Sequence, residues 1–74
     1  MWQQNGSVWI YKEMPIITIE PYTFPNGQTG WHACCGGRHV PHIQPYESLG
    51  EMMMHTVKYY DGRIEMTTVK ERWY

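Results

Sequence analysis

The residues best suited to chemistry are concentrated in one short stretch. Trp31–Ile43 contains His32, His39, His42, Cys34 and Cys35, which is three of the four histidines and both cysteines of a 74-residue chain. Imidazole and thiolate are the ligands zinc prefers, and a thiol beside an imidazole is the pairing used in nucleophilic catalysis. What the stretch can do depends on which of these groups face one another.

Gly36-Gly37 is a two-residue turn signal, so the segment can be laid out as a hairpin. In that register Cys35 lies opposite Arg38, Cys34 opposite His39 and Ala33 opposite Val40. Alternation then assigns Trp31, Ala33, Cys35 and Val40 to one face, and His32, Cys34 and His39 to the other. The first face is apolar and reads as core. The second places three ligand types within cross-strand reach, because opposed Cβ atoms are about 4.5–5.5 Å apart. A fourth zinc ligand would have to be His42 or Cys35, and this register puts both on the wrong face. Neither Cys-x-x-Cys nor His-x-x-x-His occurs, and ordinary strand surfaces carry His and Cys without any metal. The expectation is therefore no cofactor, with zinc on His32, Cys34 and His39 as the alternative. A catalytic thiol also needs a cleft and an oxyanion site, which a chain of this length can hardly build, so no enzyme is expected. Adjacent cysteines close almost no loop, and a Cys34–Cys35 disulfide is not expected.

The elements that must position these groups form one domain at most. The apolar fraction is 42%, and mean hydropathy is -0.58. Eleven residues are Trp, Tyr or Phe, and six more are Met, which favours a folded chain over a disordered one. Such a domain has a thin core, netting about 3–5 kcal/mol. Residues 1–7 read as a flexible tail and 8–74 as a single domain. Val8–Tyr11 and Ile16–Glu20 read as strands that can pair across Pro15. Ile17 and Ile19 share one face, and Thr18 and Glu20 share the other. Pro21–Gly27 is a turn region with Asn26-Gly27 at its tip, and Thr29–Cys35 and Arg38–Ile43 are the strands of the His/Cys hairpin.

Gln44–Tyr60 admits two readings. Ser48-Leu49-Gly50-Glu51 matches the capping box, and Leu49, Met52, Met53, Thr56, Val57 and Tyr60 follow at helical spacing, with Gly62 just past the end. The rival is a hairpin through Asp61-Gly62, placing Lys58 opposite Glu65, Thr56 opposite Thr67 and Tyr59 opposite Ile64. The helix is preferred because start, stripe and stop agree. Arg63–Trp73 then reads as a closing strand. The expected fold class is α+β: a small antiparallel sheet of four to five strands with one helix, at about 48–60, on one face.

Ile16-Ile17-Thr18-Ile19-Glu20-Pro21, Gly30-Trp31-His32-Ala33 and Ser48-Leu49-Gly50-Glu51-Met52, in that order, resemble the small ββαβ domain of HicB-like antitoxins over about Ile16–Val69. The turn Cys34-Cys35-Gly36-Gly37 departs from that family's pattern, and no DNA-binding domain is expected beside it. The resemblance implies a small domain that binds another protein, and it carries over no site residues.

The charge pattern favours a protein partner over a nucleic acid. Six Lys/Arg against seven Asp/Glu give a net charge of -1, with the basic residues dispersed; phosphate binding needs them concentrated. No segment reaches the ~20 apolar residues that cross a bilayer, and the N-terminal residues lack the pattern of a secretory leader, so a cytoplasmic location is expected. A small domain cannot bury four tryptophans and six tyrosines, and exposed aromatics mark interaction surfaces. Trp2, Trp9, Met54, Trp73 and Tyr74 are the expected contacts. The expected function is a non-catalytic regulator or inhibitor of the kind carried on mobile elements. It would bind another protein, or itself as a homodimer, through aromatics or a sheet edge.

Overall fold

The computed structural model describes residues 1–72, with side chains through Asp61. The strands are β1 (Trp2–Asn5), β2 (Val8–Tyr11), β3 (Ile17–Thr23), β4 (Thr29–Cys35) and β5 (Arg38–His39), and the helix α1 spans Leu49–Arg72. The strands form one antiparallel sheet in the order β1-β2-β3-β4-β5. The α+β class and the single helix on one sheet face are as the sequence implies.

Turn chemistry sets the register. Gly36 and Gly37 both have positive φ, 61° and 81°, the pair of values a type I′ hairpin turn requires. The β4–β5 pairing is the expected one, Cys34 with His39 and Cys35 with Arg38. Between β3 and β4, Gly27 N donates to Phe24 O at 2.9 Å and Phe24 N donates to Gln28 O at 2.8 Å. With Pro25 as second residue and Gly27 at φ 89°, this is a turn closed by a left-handed glycine.

The core lies between the sheet and the first turns of α1. Ile19, Ala33, Val40, Ile43 and Met52 are buried together, and Trp2, Trp9, Trp31, Leu49 and Met53 pack around them. The helical stripe read from the sequence is the face that packs: Met52 and Thr56 are fully buried, whereas Met54 is 51% exposed. One half of the capping box is made, with Glu51 N donating to Ser48 Oγ at 3.4 Å. Thr56 satisfies its buried hydroxyl by donating to Met52 O, one turn back, at 2.6 Å. Tyr11 on β2 donates from its hydroxyl to Asp61 Oδ1 at 3.2 Å, tying helix to sheet.

Three parts of the sequence reading are corrected. The return strand expected over Arg38–Ile43 is formed only at Arg38–His39, and the chain turns away after Val40, where Ile43 N donates to Val40 O at 3.4 Å. Residues 1–7, read as a tail, carry β1, which pairs with β2 through the Gly6-Ser7 turn. Gly6 at φ 64° followed by a residue of negative φ is a type II′ geometry, so Gly-Ser was a usable hairpin signal. The expected strand Arg63–Trp73 is not formed over the described residues, because α1 runs on to Arg72. A single glycine costs a helix only about 1 kcal/mol, and extending an existing helix avoids the nucleation penalty, so Gly62 is a weak stop.

Candidate functional site

Three places on this scaffold carry chemistry or binding capacity. The first is the sheet face turned away from α1. The β3–β4 register sets Thr18 opposite Cys34, Glu20 opposite His32 and Tyr22 opposite Gly30. With His39 from β5, these side chains occupy one face, as the hairpin layout requires. His32 Nδ1 lies 2.9 Å from His39 Nδ1, and His32 Nε2 lies 3.5 Å from Cys34 Sγ. Tyr22 packs on His32 at a centroid distance of 5.0 Å and edge-on to Phe24 at 5.1 Å, continuing the row of rings.

The three expected ligands are thus neighbours, but they do not converge on a point. His39 meets one nitrogen of His32, and Cys34 meets the other, on the opposite edge of the ring. Among the described residues, no group of three or more His, Cys, Asp or Glu side chains is arranged to hold a metal ion. Only one proton fits between two Nδ1 atoms 2.9 Å apart, so one imidazole donates and the other accepts. Burial and the neighbouring His39 lower the pKa of His32, against a smaller opposing pull from Glu20.

Cys34 is 2% exposed. Burial, together with the Glu20 carboxylate beside it, pushes its thiol up to about 11. At neutral pH it is a protonated thiol, the opposite of the lowered pKa that makes a cysteine nucleophilic. Cys35 is exposed, and both cysteines are free.

The second place is the outer edge of β1. Lys12 N donates to Met1 O at 2.9 Å. Ladder alternation then turns the backbone groups of Gln3 and Asn5 toward β2 and those of Trp2 and Gln4 outward. Among the described residues no strand pairs with that edge, since β1 ends the sheet. Of the expected contacts, Trp2 and Trp9 lie on the helix-facing side, half-buried against the core, with the Trp2 ring tilted 30° against Tyr11 at 5.1 Å. Met54 is on the outer side of α1, and Trp73 and Tyr74 lie outside the described residues.

The third place, which sequence reading missed, is an open cleft of about 550 Å³ between the 41–46 loop and α1. It is lined by Pro41, His42, Ile43, Tyr46, His55 and Lys58, among others. The only sequence signal was the His55/Lys58/Tyr59 spacing on one helical stripe.

Compared with known protein families, curated proteins and solved structures, the chain matches none. Its class is therefore given by its fold, a small α+β domain. None of its described helical residues is long and apolar enough a stretch to cross a membrane.

Proposed function

We propose that the chain is a small non-catalytic protein-interaction domain that accepts an extended strand of a partner along the free edge of β1. The observation that carries this reading is the edge itself. Trp2-Gln3-Gln4-Asn5 contains no Pro and no charged residue, the devices by which sheet edges are normally protected from pairing. Its outward backbone groups at Trp2 and Gln4 can bond a sixth strand in the manner of strand addition, with Trp2 as the adjacent aromatic anchor. The protonated state of Cys34 fits a non-catalytic role. A partner protein that this domain regulates or inhibits and a second copy of the chain are both served by the same edge; the HicB-like resemblance implies only that a protein is bound.

Gln4→Pro tests the edge directly. It removes an outward N–H while leaving the bonds to β2 in place, so proline is tolerable there. The expected result is loss of partner capture, or of dimerisation in sedimentation at micromolar concentration, with circular dichroism unchanged. Gln28→Ala, in the exposed turn, should retain both. Binding and self-association that survive Gln4→Pro would overturn the edge reading, as would a strict monomer that captures nothing.

A further inference from the structure

The cleft between the 41–46 loop and α1 combines three properties that together select a ligand. The first is a fixed wall. Val40 N donates to Ala33 O at 3.0 Å, and Tyr46 exchanges two backbone hydrogen bonds with Trp31, at 2.8 and 3.0 Å. The loop is thus pinned at both ends, anchored between them by buried Ile43, and stiffened by Pro41 and Pro45. Little ordering is left for a ligand to impose.

The second property is flat aromatic surface. Tyr46 stacks on His55 with ring centroids 4.4 Å apart and planes 5° from parallel. His42 and Tyr59 lie at 6.4 Å and 14°. Each loop ring is matched to a helix ring, and a planar group can extend either stack. The third is charge. Among the described residues the lining holds the Lys58 ammonium and two imidazoles but no carboxylate, in a chain whose net charge is -1. Glu47 and Glu51 are nearby in sequence and both exposed, and neither lines the cleft. Lys58 is exposed and forms no ion pair among the described residues. The volume falls within the roughly 300–1,000 Å³ usual for small-molecule sites.

From these features we infer that the cleft binds a small planar aromatic anion, the ring extending the Tyr46–His55 stack and the anionic group reaching Lys58. This site is separate from the β1 edge and does not depend on it.

The test is titration of the full chain with adenosine monophosphate and with benzoate, followed by nuclear magnetic resonance of the His42 and His55 rings. Adenosine and inorganic phosphate serve as partial probes. At least one aromatic anion should shift both rings at millimolar concentration and leave His32 and His39 unmoved. Comparing the two anions distinguishes a phosphate ester from a carboxylate as the anionic group. Lys58→Gln, an exposed helix-compatible change, should weaken binding by about fivefold. Removal of either half of the ligand should weaken it by about fivefold or more. The inference is overturned if neither anion moves these rings, if Lys58→Gln binds as tightly as the parent, or if phosphate alone matches adenosine monophosphate.

Discussion

Gly30 is the most closely surrounded of the described glycines, and Gly30→Ala should cost most of the domain's stability. A Cβ there would sit 2.5 Å from Phe24 Cε2, 2.6 Å from Tyr46 O and 3.0 Å from Glu47 Cα. The Phe24 ring is half-buried and can swing aside. The Tyr46 carbonyl cannot, because it accepts the Trp31 N–H at 2.8 Å while Tyr46 N donates to Trp31 O at 3.0 Å. Relieving the clash means moving this backbone outward and weakening both bonds. Overpacking costs about 1–3 kcal/mol, and each hydrogen bond contributes about 1 kcal/mol net. A total of about 2–4 kcal/mol is expected, against the ~3–5 kcal/mol that a single core of this size supplies. In a domain of this length that lowers Tm by about 10–30 °C. Gly50→Ala is the internal control. Its Cβ meets only Ser48 Oγ, at an ordinary 3.8 Å, so the same substitution should stabilise the helix by up to about 1 kcal/mol. Urea unfolding followed by circular dichroism measures both, and faster exchange of the Trp31 amide should accompany Gly30→Ala. If Gly30→Ala lies within about 0.5 kcal/mol of the parent, the steric argument is wrong.

Other consequences can be measured on the same protein. In a Cys35→Ser background, alkylation of Cys34 should stay slow at neutral pH and rise only toward pH 11; titration near 8.5 would contradict its burial beside Glu20. The native state then holds this proton after the unfolded chain has lost it, so stability should fall by roughly 2–3 kcal/mol as pH rises from 9 to 11. His32 has the reverse sign. Its pKa is lowered on folding, so the unfolded chain binds more protons below about 6.5, and stability should fall as pH drops from there toward the native value. His32→Gln should flatten that slope, and an unchanged slope would place the effect elsewhere. Tyr11→Phe removes the donor to Asp61 and should cost about 1 kcal/mol, with Asp61→Asn non-additive in a double-mutant cycle. Chelator should leave Tm unchanged if the His32, Cys34 and His39 arrangement is metal-free in solution, and a drop would support the zinc alternative.

Wherever local chemistry decides geometry, the sequence was sufficient. Gly36-Gly37 can adopt two successive positive φ values without strain, and that alone sets Cys34 opposite His39 and divides His32, Cys34 and His39 from Ala33 and Val40. Period-two alternation sorted Ile17 and Ile19 from Thr18 and Glu20. Helical spacing after Ser48 identified Met52 and Thr56 as buried and Met54 as exposed. The Gly6-Ser7 hairpin is equally local, but β1 is polar; its Gln and Asn residues lack the apolar alternation of a half-buried strand. Helix length was not legible, since a lone glycine at 62 competes weakly with propagation.

Only the tertiary structure decided the rest, because it depends on contacts between residues far apart in the chain. Ring orientation turned His39 and Cys34 to opposite nitrogens of His32, which a Cβ register cannot specify. The environment that holds Cys34 protonated is assembled across strands, with Thr18 opposite it on β3, His39 opposite it on β5 and the Glu20 carboxylate of β3 beside it. The close approach of Tyr46 to Gly30 and Trp31 fixes one end of the loop that walls the cleft, and no pattern within either segment encodes that approach. Sequence set which residues share a face; packing determined which of their atoms meet, and so where this small domain can bind.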